Sequence, residues 1–193
     1  MDPLALFGRW LSDAVDSGLR DPNAFVLATT DPNGQPSARV LLLKEYDERG
    51  FVFYTNYGSR KAADLRENPK GALLFFWAEL ERQIRIEGTI SKVSRAESAE
   101  YFASRPRASQ LGAHASQQSS VIADRSDLEN NFQKLAEQYG EHAEIPLPEN
   151  WGGYVLAPHA MEFWQGRSNR LHDRLAYTRE SGGSEWDRRR LSP

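Results

Sequence analysis

Charged and aromatic side chains near the C-terminus have the types and spacing of an anion-binding site. Arg170, His172 and Arg174 alternate along the chain, so in an extended strand their side chains would lie on one face. Two guanidiniums and an imidazole on one face, with Trp164 upstream, could hold an anionic aromatic ligand through charge-assisted hydrogen bonds and stacking. The alternative is an antiparallel strand with a solvated, charged face and Leu171 turned inward, and these residues alone favour that alternative.

A second candidate site lies at the predicted start of a helix. Ser59 is a good N-cap candidate, which places Arg60 and Lys61 in the first helical turn. The helix dipole disfavours cations at this end. A bound phosphate would resolve the conflict, because free backbone N–H groups and both side chains could converge on it. We therefore prefer a phosphate site to the alternative of two exposed basic residues that the helix tolerates.

Other polar residues are weaker candidates when each is taken alone. Arg39 and Lys44 bracket an apolar run, and one position is odd and the other even. In a strand their side chains would therefore point to opposite faces, so they would have separate roles. Tyr101 and Arg105 share one face of a predicted helix, and Ser109 follows one turn later if a second helix resumes. Each of these residues could equally be a solvated side chain at the edge of its element.

The pattern of apolar residues predicts that a mainly β fold with flanking helices, the α+β class, positions these side chains. Helical spacing predicts a first helix at about 3–18 and further helices that start near residues 59, 94 and 128. Strands are predicted at 24–30, 35–46, 51–55, 71–77, 82–93, 153–156, 161–165, 171–178 and 186–191. Because short turns join the first strands, we expect an opening β-meander in an antiparallel sheet.

The composition is that of a single-domain globular protein. The chain has 193 residues and 39% hydrophobic content, enough for one domain with a sizeable core over residues 1–193. The formal net charge of -3 argues against nucleic acid as the main partner. Without cysteine, disulfides, thiolate metal sites and cysteine nucleophiles are excluded, so redox chemistry would need a bound cofactor.

Signals for other functions and compartments are missing from the sequence. The four histidines lack zinc-ligand spacing, so no metal site is predicted. There is no Gly-rich dinucleotide motif, phosphate loop or Gly-x-Ser-x-Gly elbow. The N-terminus lacks a signal-peptide pattern, and the longest apolar run, residues 72–78, is too short to span a bilayer. We therefore expect a cytoplasmic protein with no membrane partner.

Taken in order, the motifs resemble the pyridoxine/pyridoxamine 5′-phosphate oxidase family over nearly the whole chain. Each motif is weak alone, but the ordered set is highly specific. The matching positions are Arg39 to Lys44, Tyr54, Thr55, Ser59, Arg60, Lys61, Gln83, Tyr101, Arg105, Ser109, Gln118, Ser119 and Trp164 to Arg174. The resemblance implies an antiparallel FMN-binding split β-barrel that works as a homodimer with FMN in the interface.

The resemblance also implies two sets of binding residues. FMN contacts are implied for Arg39, Val40, Leu41, Leu42, Leu43, Lys44, Tyr54, Thr55, Arg60, Lys61, Gln83, Gln118, Ser119, Trp164 and Arg174. Substrate contacts are implied for Lys44, Tyr101, Arg105, Ser109, Arg170, Leu171 and His172. Of these, Arg170 and His172 are implied as the catalytic residues.

The implied activity is that of a pyridoxal 5′-phosphate synthase of vitamin B6 metabolism. Such an FMN-dependent oxidase converts pyridoxamine 5′-phosphate, pyridoxine 5′-phosphate or both into pyridoxal 5′-phosphate, with dioxygen as acceptor and hydrogen peroxide as product. Two alternatives stay open. One is an FMN- or pyridoxal-phosphate-binding protein without oxidase activity, and the other is a split-barrel reductase that uses a flavin or deazaflavin or acts on haem.

Four points stay open at the level of sequence. They are the preference between amine and alcohol substrates, the presence of a second, regulatory pyridoxal-phosphate site, the residues that meet across the dimer, and the role of the N-terminus. Family members commonly carry a basic segment before the first helix that can cover the substrate. Here the sequence starts almost at the helix, as a short natural form or a trimmed chain would.

Overall fold

The computed structural model describes residues 2–180, 183 and 185–193, which form one mainly β unit with five helices. The helices are α1 (Pro3–Asp16), α2 (Arg60–Glu67), α3 (Arg95–Ser104), α4 (Arg107–Ala115) and α5 (Arg125–Tyr139). The strands are β1 (Ala24–Thr30), β2 (Pro36–Leu42), β3 (Glu45–Asp47), β4 (Gly50–Asn56), β5 (Lys70–Trp77), β6 (Arg82–Lys92), β7 (Trp151–Gln165), β8 (Asp173–Thr178) and β9 (Asp187–Leu191). The expected fold class is confirmed. Within the described chain, no helix has the length and apolar character needed to cross a membrane.

Local signals in the sequence account for several helix boundaries. The Asp2 side chain accepts a hydrogen bond from the backbone N–H of Leu4, and proline follows as the first helical residue of α1. Ser94 likewise accepts from the N–H of Glu97 at the start of α3. Pro106 then separates α3 from α4, because a proline disfavours helical backbone at the residue before it.

All strand pairs are antiparallel, and the main path of the sheet runs β2-β1-β5-β6-β7-β4-β3, with β8 and β9 attached to β7. The expected opening meander is wrong, because β2 and β4 are not neighbours. The single strand expected at 35–46 is two strands. Between them the N–H of Leu43 donates to the carbonyl of Asn23, and the N–H of Lys44 donates to the carbonyl of Val52. After β2 the chain therefore stops pairing beside β1 at Leu43 and begins to pair with β4 at Lys44.

The C-terminal strands also differ from the prediction. The segments expected at 153–156 and 161–165 are one strand of 15 residues, β7. Pro158 lies in the gap between the two expected segments, and a proline cannot donate to a ladder. A register shift between Glu87 and Gly88 of the neighbouring β6 accommodates it.

The strand expected from residue 171 begins only at Asp173. Residues 168–170 form a short 3-10 turn, in which Asn169 and Arg170 have φ values of 59° and 62°. Arg170 and His172 therefore do not share a strand face with Arg174. Leu171 does not turn inward, since 69% of it is exposed.

Two hydrophobic clusters support the structure. The main core lies between α1 and the sheet and is rich in aromatic residues, with Phe7, Phe51 and Phe75 in edge-to-face contacts. The smaller cluster contains Phe102 and Trp151 and packs α3, α4 and α5 against one end of β4 and β7. This second cluster forms the base on which the candidate site is built.

Candidate functional site

A cavity of about 650 Å³ lies where β2 and β4 face α3 and α4. It gathers ten of the residues that the sequence analysis assigned to ligands. These are Val40, Leu41, Leu42, Lys44, Tyr54, Thr55, Tyr101, Arg105, Ser109 and Gln118. Residues that had not been assigned to a site complete the lining, namely Asn56, Pro106, Gly112, Ala113, Ser116 and Trp151.

Arg105 brings to this cavity a cation whose hydrogen-bonding capacity is partly unused. It lies at the C-terminal end of α3, with its guanidinium 4.7 Å from the centroid of the Trp151 ring. Its Nη1 atom is buried and has no hydrogen-bond partner in the described part of the chain. Burial lowers the pKa of Arg105, yet a guanidinium stays charged at neutral pH. A buried donor without a partner costs free energy until an acceptor reaches it, so the position suits an anionic ligand.

Three aromatic rings form a stack in the wall of the cavity. The ring centroids of Tyr54 and Tyr101 are 3.9 Å apart with an interplanar angle of 16°, and Tyr54 also stacks on Trp151 at 5.5 Å. Burial raises the pKa of Tyr54 to about 12, so its hydroxyl stays protonated at neutral pH. The stack holds Tyr101 beside Arg105.

Lys61 is buried in the first turn of α2 and is surrounded by neutral partners. Its Nζ donates to Gln118 Oε1 at 2.7 Å and to the hydroxyls of Thr55 and Ser59 at 3.1 Å. Among the described residues, no carboxylate lies within ion-pair distance of it. Burial, and then the charge of Arg39, lowers the pKa of Lys61 to about 8. An anion bound here would favour the charged form of Lys61.

The start of α2 adds backbone donors to this position. Ser59 is the N-cap residue, as expected, but its hydroxyl donates to the Asn56 carbonyl at 2.7 Å and makes no capping bond. The N–H of Arg60 donates to Ser119 Oγ at 3.3 Å. The first turn contains no acidic residue. Arg60, Lys61 and Ser119 thus meet at the positive end of the helix dipole.

Arg39 and the side chain of Leu43 lie outside the cavity lining. Leu43 is buried in the main core. Arg39 donates to Thr29 Oγ1 at 2.7 Å and forms an ion pair with Asp64 at 3.8 Å. Asp64 also accepts from Thr29 at 2.6 Å, which joins α2 to β1. Arg39 therefore anchors α2, and its charge acts on Lys61 from a distance.

A second set of predicted residues lies on the sheet near the other end of β7. Gln83 pairs with Trp164 and Trp164 pairs with Arg174, so all three side chains face the same side of the sheet. Arg174 Nε donates at 2.7 Å to Glu162, a buried carboxylate that also accepts from Arg85 at 2.9 Å. The bond to Glu162 raises the pKa of Arg174, so Arg174 is a permanent cation.

The loop between β7 and β8 places the remaining predicted residues beside this set. Arg170, Leu171 and His172 all lie in it, and the ring of His172 is 4.6 Å from that of Trp164 between centroids. His172 Nδ1 accepts a hydrogen bond from the backbone N–H of Arg167 at 3.1 Å. The structure thus brings His172, Trp164 and Arg174 to one end of the sheet.

The two sets lie at opposite ends of β7. Trp151 starts β7 beside the cavity, and Trp164 lies near its other end. A strand of 15 residues has an extended length of roughly 50 Å at about 3.3 Å per residue. The cavity with Arg105 is at one end of β7, and His172 is at the other.

Trp151 and Glu162 were missed as site residues. Trp151 reaches the cavity because it pairs with Asn56 across β4 and β7, a long-range register that no local motif encodes. Glu162 gave a usable signal, since it has the same parity as Trp164 and therefore lies on the same face of β7.

Comparison with known proteins identifies the family. A profile described as "Pyridoxamine 5'-phosphate oxidase" matches residues 11–150, and one described as "Pyridoxine 5'-phosphate oxidase C-terminal dimerisation region" matches residues 151–193. The chain belongs to the pyridoxamine 5′-phosphate oxidase family. The resemblance drawn from the ordered motifs is confirmed.

Curated relatives agree over the full length of the chain. A pyridoxine/pyridoxamine 5′-phosphate oxidase from Rubrobacter xylanophilus is 56% identical over 192 residues, which covers 100% of this chain and 87% of the relative. One from Salinibacter ruber is 53% identical, with 100% and 89% covered.

Solved structures share the fold. PhzG from Burkholderia lata 383, in complex with tetrahydrophenazine-1-carboxylic acid, has a TM-score of 0.93 and 35% identity, and the match covers 100% of this chain and 93% of that one. An FMN-binding, pyridoxamine 5′-phosphate oxidase-related protein from Nostoc punctiforme has a TM-score of 0.77 and 19% identity, with 95% of each chain covered. The second match bears on the fold alone.

Family membership confirms FMN as the cofactor. The described residues fit it, because Lys61 offers a buried ammonium with neutral partners to a phosphate. The N-terminal turn of α2 adds backbone N–H groups and the side chain of Arg60.

Proposed function

We propose that this protein is an FMN-dependent oxidase that converts pyridoxamine 5′-phosphate, pyridoxine 5′-phosphate or both into pyridoxal 5′-phosphate, using dioxygen and releasing hydrogen peroxide. The observation that carries the proposal is the Nη1 atom of Arg105, which has no hydrogen-bond partner among the described residues. It lies at the cavity whose lining residues Thr55 and Gln118 contact Lys61. The cavity thus has one cationic position in its lining, at Arg105, and a second behind Thr55 and Gln118, at Lys61. Two phosphorylated molecules, a cofactor and a substrate, would account for both.

Each cationic position has its own role in the proposal. Lys61, Arg60 and the backbone at the start of α2 bind the FMN phosphate, with Gln118 and Ser119 completing the site. The substrate phosphate binds to the second position, whose members are Lys44, Tyr101, Arg105 and Ser109. Its charge-assisted hydrogen bonds supply most of the ground-state binding.

The substrate ring needs the residues at the far end of β7, and we propose that a second copy of the chain supplies them. Arg170 and His172 of that copy hold the ring, while Trp164, Gln83 and Arg174 contact the cofactor. Arg174, kept cationic by Glu162, stabilises the negative charge that develops on reduction. The match of residues 151–193 to a dimerisation region supports this arrangement.

When bound, FMN supplies the redox chemistry, accepting two electrons from the substrate and passing them to dioxygen. The contribution of the chain is position and electrostatics. Two anchored phosphates restrict how the two rings can lie, and the residues from β7 and the following loop fix the remaining freedom. The aromatic stack of Tyr54, Tyr101 and Trp151 keeps the phosphate-binding wall rigid.

Anaerobic mixing of the purified, FMN-loaded protein with each substrate tests the proposal. Pyridoxine 5′-phosphate or pyridoxamine 5′-phosphate should bleach the flavin absorbance, and admitting dioxygen should restore it and produce hydrogen peroxide. A protein that keeps its flavin band with both compounds would contradict the proposal.

The likeness to PhzG supports a second candidate, oxidation of a reduced phenazine carboxylic acid. That structure matches the whole of this chain and holds tetrahydrophenazine-1-carboxylic acid. The cationic position at Arg105 could also accept a carboxylate. Against this, the relatives at 53% and 56% identity are named for the phosphorylated vitamers. Bleaching by the phenazine acid alone would favour the second candidate.

A further inference from the structure

The hydrogen bond between Arg167 and His172 determines which nitrogen of the imidazole can carry a proton. A backbone N–H is always a donor, and here it points at His172 Nδ1 from 3.1 Å. Nδ1 must therefore offer its lone pair, which leaves the proton of the neutral ring on Nε2. The described residues provide no hydrogen-bond partner for Nε2.

The two ends of the loop that makes this bond are joined to each other by an ion pair. Arg167 Nε donates to Asp173 at 2.9 Å, and Asp173 also accepts from Arg190 of β9. These two arginines lower the pKa of Asp173, so the carboxylate stays charged. The loop is thereby anchored to the first residue of β8.

The backbone inside the loop is strained. Asn169 and Arg170 both have left-handed φ values, 59° and 62°. Asparagine tolerates this region, but arginine adopts it at a cost in free energy. Strained backbone of this kind persists where the surrounding contacts hold it in place, and it concentrates at functional sites.

We propose that this loop fixes His172 as the Nε2–H tautomer, that His172 donates this hydrogen to an oxygen acceptor on the bound substrate, and that Arg167 and Asp173 are the positioning residues. The identity of the substrate rests on the function proposed above, whereas the tautomer does not. His172 then acts as a hydrogen-bond donor. It is not a base acting through Nδ1, because that nitrogen is already occupied.

Two amide substitutions distinguish the roles of the Nδ1 and Nε2 atoms of His172. A glutamine at this position can place an N–H near the location of Nε2, while an asparagine can mimic only the Nδ1 side. His172→Gln should therefore keep a kcat/KM about tenfold or more above that of His172→Asn, a ratio that corresponds to one hydrogen bond to a charged or strongly polar acceptor. Both variants should retain FMN, which shows that they are folded.

The tautomer itself can be read directly by long-range ¹H–¹⁵N NMR of the FMN-loaded protein labelled in histidine. The signals of His172 are identified by their loss in His172→Gln. At a pH where the ring is neutral, Nδ1 should give the shift of an unprotonated nitrogen and Nε2 that of an N–H. A protonated Nδ1 would overturn the inference.

The positioning role has its own variants. Arg167→Ala keeps the backbone N–H but removes the tie to Asp173, and it should mix the tautomers of His172 and lower kcat/KM severalfold. Arg167→Lys should restore both the single tautomer and the value of kcat/KM, because an ammonium can still pair with Asp173. Arg189→Ala is the matched control, since Arg189 pairs with Asp187 on β9 at an exposed position. Arg189→Ala should change neither the NMR signals of His172 nor kcat/KM.

The outcomes of these measurements are distinguishable from the failure of the proposed function. If the wild-type protein binds FMN but oxidises no vitamer phosphate, the proposed function fails, and the NMR spectrum still decides the tautomer. If the wild type turns over but the glutamine and asparagine variants are equally impaired, His172 is not an Nε2 donor and the inference is wrong.

Discussion

Lys61 is a buried cation and Arg105 a half-buried one with a buried Nη1 atom, and neither has a carboxylate partner in the described part of the chain. The nearby carboxylate of Asp64 is instead paired with Arg39 and Thr29. Burial lowers the pKa of both cations, which means that each pays a desolvation cost in the free protein. Bound phosphates would offset this cost, and so each residue should affect a different ligand.

For Arg105 we expect a specific effect on the substrate. Arg105→Ala should raise KM for the phosphorylated substrate by about 10- to 100-fold, since one charge-assisted hydrogen bond contributes about 1.5–3 kcal/mol. FMN retention should be unchanged. Arg125→Ala is the control, because Arg125 is an exposed residue paired with Glu129 on α5. Steady-state kinetics checks this prediction, and a loss of flavin in Arg105→Ala would contradict the division of roles.

For Lys61 we expect a pH dependence of FMN binding. Its pKa in the free protein is about 8, below the ordinary lysine value of 10.5. Below pH 8 the ammonium is charged and affinity should be constant. Above pH 8 it loses its proton in the free protein, so affinity should fall by up to about tenfold per pH unit. Titrations of FMN fluorescence between pH 7 and pH 9.5 measure this change.

The variant Lys61→Met supplies the control for that titration. It should bind FMN more weakly at pH 7 and lose the dependence above pH 8, because the titrating group is gone. The FMN phosphate stays a dianion across this range. A wild-type affinity that stays flat up to pH 9.5 would show that Lys61 does not meet the phosphate.

At the scale of elements, β7 is the strand on which both parts of the site depend. It pairs with β4 beside the cavity, with β6 along most of its length, and with β8 at the far end. The contact with β4 is close at Gly50, whose φ is 134° and where an added Cβ would lie 1.9 Å from the Leu156 carbonyl oxygen. A side chain there would strain the backbone and separate the two strands.

We therefore expect Gly50→Ala to lower the free energy of unfolding by about 2–4 kcal/mol, the range for a strained φ combined with a backbone clash. Gly112→Ala is the control in α4, where no described atom beyond the helix backbone and the two neighbouring residues lies within 4 Å of the added carbon. It should raise stability by about 0.5–1 kcal/mol through helix propensity. Urea unfolding of the FMN-free proteins checks both values, and equal midpoints would contradict the close approach at Gly50.

The elements could be predicted from the sequence where the signal is local. The helical spacing of apolar residues was sufficient to place α1, and the capping residue before α3 with the proline after it was sufficient to place α3. The continuity of β7 through Pro158 could not be predicted, because it depends on the register shift opposite Gly88 in another strand. The turn at Asn169 and Arg170 was missed for a different reason. Arginine rarely adopts a left-handed φ, so its presence gives no signal for such a turn.

At the scale of the whole molecule, the residue types of the site could be predicted but their grouping could not. The ordered motifs pointed to the residues of both sets. The division of these residues between the two ends of β7 follows only from the strand order and register. Trp151 illustrates the limit, because its place under Arg105 results from pairing with a strand about a hundred positions away in the sequence.

Mixing two impaired variants, at a substrate concentration well below the KM of Arg105→Ala, tests most directly the claim that one site is built from two copies. Arg105→Ala damages the cavity set and His172→Ala damages the loop set. If each site takes Arg105 from one chain and His172 from the other, a mixed dimer has one intact site and one doubly damaged site. Random exchange in a C2 dimer then predicts recovery of about one quarter of the wild-type rate per chain. A mixture that exchanges subunits but turns over no faster than its components would contradict the account.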